Sequence, residues 1–217
     1  MLGGRLVVDG QLGNMAVDVH AGTTLAGDGS IQGSVTVLNS GTLAPGDLTP
    51  GSVGDLSVGS LLLGGVGSTS TTILDIYGSE THAGVAGTDY DALKGTDLEY
   101  GGALKLDFWN TQAFSDWTVF HLFDFTGSMT EHLGSIQSLA SVVTDYNDLI
   151  FTHVVGSDGF WVWGAEASNG QTLLFYEATG NLVVVPEPSA IVIAGIGVAI
   201  AAWRFRRRRC VPSQPTV

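Results

Sequence analysis

Five histidines, a set of carboxylates and two neighbouring tryptophans are the side chains of this 217-residue chain that could do chemistry. A zinc site needs ligands brought together at short, regular spacings. His20, His82, His121, His132 and His153 each stand alone, with no HxxxH or HxH pair and no cysteine nearby. Serine hydrolysis of the nucleophile-elbow kind asks for Gly-x-Ser-x-Gly, and Gly54-Asp55-Leu56-Ser57-Val58-Gly59 misses that spacing. Asp89, Asp91, Asp97 and Glu99 offer the paired carboxylates of a glycoside hydrolase, but in an acidic, glycine-rich stretch they read as solvated turn residues. Gly27-Asp28-Gly29 and Gly87-Thr88-Asp89-Tyr90-Asp91 offer oxygens to calcium without the glycine-rich nonapeptide repeat that would organise them. Trp161 and Trp163 share one face of a strand pattern, which makes a sugar-stacking platform if exposed and core if buried. No catalytic residue, metal site or cofactor is therefore assigned.

The elements that would position these groups are strands and glycine turns. Between residues 5 and 63 short apolar pieces recur, among them Leu6-Val7-Val8, Ala16-Val17-Asp18-Val19, Ser34-Val35-Thr36-Val37 and Ser60-Leu61-Leu62-Leu63, separated by Gly, Asn, Asp or Ser. They are too short for helices and rich in β-branched residues. Stacked rungs with glycine corners satisfy this pattern, since each rung buries its apolar face only against the next and glycine accepts the sharp backbone turn. After Phe108 aromatics crowd in, including Trp109, Phe114, Trp117, Phe120, Phe123, Phe125 and Phe151. Several stretches there alternate as strands, and 132–143 carries a helical pattern through Leu133, Ile136, Leu139 and Val143. This half reads as an antiparallel cap that closes the open end of the rungs, whose unpaired edge would otherwise aggregate.

The segment from Ala21-Gly22-Thr23-Thr24-Leu25-Ala26-Gly27-Asp28-Gly29-Ser30-Ile31 through Ser40-Gly41-Thr42-Leu43-Ala44-Pro45-Gly46 resembles autotransporter-type passenger repeats, and the likeness continues to Ala103-Leu104-Lys105-Leu106. That resemblance implies a right-handed β-helix on an exported surface protein.

At the C-terminus Val185-Pro186-Glu187-Pro188-Ser189 precedes an apolar run from Ala190 to Trp203, then Arg204, Arg206, Arg207, Arg208 and Arg209. Proline donates no backbone hydrogen bond and pushes its predecessor out of the helical region, so the run is set apart as its own element. Lipid forces such a segment into a helix, and clustered arginine holds its far end in the cytoplasm. The run has only 14 residues. At about 1.5 Å per residue it reaches roughly 21 Å of a core about 30 Å thick, so the flanking residues must snorkel. The tail resembles the PEP-CTERM sorting signal of bacterial envelope and exported proteins. The resemblance implies an exosortase, a membrane cysteine peptidase-transpeptidase, as the partner that cuts near the Pro-Glu-Pro triplet. Cys210 to Val217 extend beyond the arginines, where such tails usually stop sooner.

The expected fold is all-β: a parallel β-solenoid (right-handed β-helix) at 1–108, a small antiparallel β cap at 109–185, and a sorting signal with one transmembrane helix at 186–209, followed by a cytoplasmic tail at 210–217. Residues 1–9 show no secretory leader, so the chain is expected to be N-terminally truncated. Before Pro188 the chain holds 3 basic against 21 acidic residues, a balance of −18 that excludes a nucleic-acid partner. Cys210, the only cysteine, leaves the outer part without a disulfide.

Three functions compete. The first is a non-catalytic structural protein of the cell surface or matrix, membrane-anchored on the exported side until processed and extracellular afterwards. The second is an adhesin that binds exopolysaccharide through the aromatic cap, favoured if Trp161 and Trp163 line a groove. The third is a β-helix envelope hydrolase, which requires acidic side chains converging on one face.

Overall fold

Alternate side chains of most of the longer strands face inward, and the computed structural model shows where they go. It describes all residues except 1–2, 48, 50, 66, 79–83, 111, 143, 156–160 and 187–217. In chain order the strands are β1 (Arg5–Val7), β2 (Gln11–Leu12), β3 (Val17–Val19), β4 (Thr24–Gly27), β5 (Ser30–Val37), β6 (Thr42–Pro45) and β7 (Asp55–Leu62). There follow β8 (Thr71–Ile76), β9 (Ala92–Gly95), β10 (Asp97–Glu99), β11 (Ala103–Phe108), β12 (Val119–His121) and β13 (Phe123–Phe125). The last are β14 (Met129–Thr130), β15 (Ser135–Leu139), β16 (Thr152–Val155), β17 (Trp161–Glu166), β18 (Thr172–Tyr176) and β19 (Asn181–Val185).

They form three sheets. The first is parallel, in the order β1-β4-β6-β8-β11-β15. Its register aligns Leu25 with Leu43, Thr72, Leu104 and Ile136, all buried, so one inward row runs across five strands. Each fully buried Leu or Ile contributes on the order of 2 kcal/mol. The second sheet is also parallel and runs β13-β9-β7-β10-β14, with β5 on β7 and with β2 and β3 on β5. It splits because β5 and β7 are long enough to take two partners each, and their register shifts between Ile31 and Ser34. Gly33 lies in that shift, where a Cβ would stand 1.9 Å from the Met15 carbonyl oxygen, so only glycine lets the backbones approach. The third sheet is antiparallel, β12-β19-β18-β17-β16. Buried residues of all three belong to one hydrophobic core, with Tyr90, Tyr100, Tyr146, Phe108, Phe120, Phe123 and Phe175 its largest fully buried side chains.

This arrangement corrects the expected fold class. A right-handed β-helix closed by an antiparallel cap and followed by a membrane helix is not what the described residues form. They make two parallel sheets and one antiparallel sheet. The aromatic half does not form a separate cap: β13, β14 and β15 pair in parallel with β9, β10 and β11. The helical pattern at 132–143 also gives way, because β15 extends the first sheet with Ile136 and Ser138 inward. Satisfying the open edge of β11 with five ladder positions outweighs an amphipathic helix of three turns or so. Among the described residues there is no helix, hence none long and apolar enough to cross a membrane. The helix expected at 190–203 lies outside them.

By compactness the chain divides into Met1–Val185 and Pro186–Val217.

Candidate functional site

The two tryptophans and two of the histidines do come together, around a carboxylate that their spacing did not reveal. Trp163 is 5% exposed, and its indole N–H donates to Glu177 Oε1 at 2.8 Å. Glu177, 1% exposed, also accepts from the Leu133 N–H at 3.1 Å, and its Oε2 lies 2.7 Å from His132 Nδ1. The Tyr100 hydroxyl donates to the Glu177 carbonyl at 3.0 Å, and burial pushes that phenol well above its ordinary range. His132 lies flat on Trp161 at 4.2 Å with rings 2° apart, and His153 stacks on the same indole at 4.5 Å and 15°. Trp161 therefore already carries two imidazoles, and Trp163 is core. No open sugar-stacking platform is left on this pair. The remaining histidines are scattered: His20 is exposed, His121 Nδ1 pairs with Asn181 Oδ1 at 2.8 Å, and His82 lies outside the described residues.

Of the four acidic candidates, Asp97 and Glu99 share one groove while Asp89 and Asp91 go elsewhere. Asp89 Oδ2 accepts from the Val85 N–H at 2.7 Å, an ordinary turn bond, and Asp28 is exposed. Asp97 accepts from the Ser128 N–H and hydroxyl at 2.9 and 2.7 Å, which pulls its pKa below the usual value. Asp97 and Glu99 line a shallow groove of about 320 Å³ on the second sheet, with Ser34, Thr36, Ser60 and Ser128 and with Leu61 and Leu62. Asp91 turns inward instead. It is 1% exposed and accepts from the Gly54 and Asp75 N–H groups at 2.6 and 2.8 Å. Burial pushes its carboxyl up to about 8 against the pull of those two amides, with Asp75 adding to the rise. Asp75 is itself pushed up to about 6, first by burial and then by Asp107, its register partner on β11. Asp107 accepts from the Ser141 hydroxyl at 2.5 Å and leaves Oδ1 buried without a partner. Among the described residues no group of three metal-ligating side chains is placed to hold an ion.

The end of β19 is the third place of interest. A run of valines after Gly180 makes the strand: Gly180 turns with φ 65°, and a Cβ there would meet the Phe123 carbonyl oxygen at 2.2 Å. Leu182 and Val184 face the core, fully buried. Val184 is tied on one side by its N–H to the Thr118 carbonyl at 2.9 Å and by its carbonyl to the Trp117 N–H at 2.7 Å. On the other side Val185 pairs with Thr172. Pro186 then ends the ladder because it has no N–H to offer. Beside this exit Trp117 holds φ 66° with 54% of its surface exposed. A left-handed backbone at a bulky residue costs about 1–3 kcal/mol and persists only where neighbours over-determine it. Here the Thr118 hydroxyl donates to the Ser115 carbonyl at 2.6 Å, while Gln171 Nε2 reaches Phe114 O at 2.8 Å and Asp116 Oδ1 at 3.0 Å. The spacing of residues showed neither Trp117 nor Glu177, since exposure and backbone strain have no pattern in the chain.

Residues 184–208 match the PEP-CTERM protein-sorting motif. No curated protein and no solved structure matches the chain. The motif marks the chain for exosortase-dependent C-terminal sorting as an exported, envelope-associated protein. It does not reach the repeats expected between Ala21 and Leu106. Of the residues expected in the sorting signal, Val185 closes β19 and Pro186 is partly buried just beyond it. Glu187, Pro188 and Ser189, and the expected anchor residues Ala190, Trp203, Arg204, Arg206, Arg207, Arg208 and Arg209, lie outside the described residues. The motif thus starts inside the folded sheet, with its first residue, Val184, buried.

Proposed function

We propose that this chain is an exported structural protein of the cell envelope or extracellular matrix, without catalysis of its own, whose C-terminus is processed by an exosortase near Pro186 to Pro188. The observation that carries the reading is the sorting motif at 184–208, continuing without a linker from the last strand. The side chains best suited to chemistry support it, because they are spent on holding strands together. Glu177 binds Trp163, Leu133 and His132, and Asp91 binds two backbone amides. Lys94 pairs with Asp55. The acidic surface suits a protein that must stay soluble outside the cell.

Expression of the full chain in a host with an active exosortase tests this. Mass analysis of the mature protein is expected to find a C-terminus near Pro186 to Pro188. A mature chain still carrying Cys210 to Val217 overturns the reading.

A further inference from the structure

We propose that Asp75 and Asp107 hold one proton between them on the face of the first sheet turned away from the core, and that this pair is a pH-sensitive latch for the stretch 51–54. In β8 the inward side chains are Leu74 and Ile76, and in β11 Leu106 and Phe108, all fully buried. Alternation therefore sends Asp75 and Asp107 to the opposite face, and the ladder sets them directly across from one another. Neighbouring strands lie about 4.8 Å apart, so the two carboxyl groups stand side by side. At that range each disfavours ionisation of the other.

Their hydrogen bonds leave a place for that proton. Asp75 Oδ2 accepts from the Gly51 N–H at 3.0 Å, and Asp107 Oδ2 accepts from the Ser141 hydroxyl at 2.5 Å. Asp107 is 5% exposed, and its Oδ1 is a buried acceptor that no donor among the described residues reaches. A protonated Asp75 supplies the donor from Oδ1, the oxygen that Gly51 does not use, whereas an ionised Asp75 sets a second charge beside an unsatisfied oxygen. Burial and then Asp107 push Asp75 up to about 6, against the pull of the Gly51 amide and the Trp109 indole. Asp91 is the other carboxyl group at this place: its Oδ2 accepts the Asp75 N–H, its Oδ1 accepts the Gly54 N–H, and its own rise to about 8 sets its titration apart. Gly51 is where the stretch closes on the sheet, since with φ 80° a Cβ there would stand 2.7 Å from the Tyr77 hydroxyl and 2.8 Å from the Trp109 ring. Asp75 is raised from 3.8, so its stabilising share is full below about pH 4 and is lost as pH rises through 6. Loss of the proton sets Asp75 and Asp107 against each other, lets Gly51 lift, and uncovers the stacked Tyr77 and Trp109.

The test is hydrogen exchange of the full chain between about pH 4.5 and 7.5, read by mass spectrometry on peptides covering 51–54 and corrected for the intrinsic exchange rate. In the wild type, protection of this stretch is expected to fall about tenfold over that range. Asp75→Asn keeps an acceptor for Gly51 and gives Asp107 Oδ1 a permanent N–H donor, so its protection is expected to stay at the low-pH value throughout. Asp107→Asn removes the facing carboxyl, and the midpoint is expected to move from about 6 towards 3.8. Asp91→Asn is expected to leave the midpoint near 6. Constant protection in the wild type overturns the latch, and so does an Asp75→Asn chain that opens as the wild type does. An unmoved midpoint in Asp107→Asn overturns the shared proton. Should that variant fail to fold, carbon-13 titration of the wild-type Asp75 carboxyl takes its place: a midpoint near 6 supports the shared proton, and one at the ordinary aspartate value overturns it.

Discussion

Glu177 is a buried carboxyl group that only its hydrogen-bond partners make tolerable. Three groups from two segments converge on its carboxyl oxygens: the Trp163 indole on β17, and the Leu133 amide and His132 Nδ1 on the stretch before β15. Glu177→Ala strands at least two buried donors, so it is expected to cost about 3–5 kcal/mol in urea denaturation. Glu177→Gln keeps an acceptor for Trp163 and Leu133, and its amide N–H can be accepted by His132 Nδ1 once that ring takes the other tautomer, so about 1 kcal/mol is expected. Equal losses in the two variants would show that the side chain acts by volume and not by bonding. Asp91 and Asp75 make a different prediction. Both are raised above the ordinary aspartate value of 3.8, to about 8 and about 6, so the folded chain holds their protons more tightly than the unfolded chain. Their contribution to stability is full below about pH 4 and is lost as pH rises through 6 and then 8, at up to about 1.4 kcal/mol per pH unit for each group. Denaturation at pH 5, 7 and 9 is expected to show falling stability in the wild type and a shallower fall in Asp91→Asn. A parallel slope in the variant would mean that Asp91 is ionised throughout.

Strand β19 belongs both to the folded sheet and, through Val184 and Val185, to the sorting motif. Two consequences follow for chains cut at either end of it. A chain ending at Pro186 keeps every ladder bond of the third sheet and is expected to match the full chain within about 1 kcal/mol by chemical denaturation. A chain ending at Gly180 loses the inward Leu182 and Val184, leaves β12 without its partner and turns β18 into an open edge, a loss of about 4 kcal/mol or more from the two side chains alone. Similar stability for both would place β19 outside the cooperative core. Strand β15 shows how an element's pattern can mislead. Leu133, Ile136, Leu139 and Val143 fit a helical face, yet Ile136 and Leu133 are buried from an extended chain whose ladder on β11 has five pairs. Periodicity over so short a window reads either way, and the open edge of a parallel sheet settled it.

For the molecule as a whole, several features were legible in residue order alone. Short β-branched pieces between glycines announced an all-β chain, because a strand's alternation and a turn's glycine are local properties. The Pro-Glu-Pro triplet, apolar run and arginines announced the sorting signal for the same reason, and residues 184–208 match it. Other features depend on which distant strands meet. Trp163 is core and Trp161 stacks with two histidines because β17 brings them against His132, His153 and Glu177. Asp91 and Asp75 are buried side by side and raised above the ordinary aspartate value because β8 and the chain before β9 pass next to each other. Trp117 stands exposed at the motif's threshold because β12 flanks β19. Local preference acts over a few bonds and is written in neighbouring residues. Burial, charge pairing and backbone strain are set by contacts across tens of residues, and those exist only once the sheets have closed on a common core.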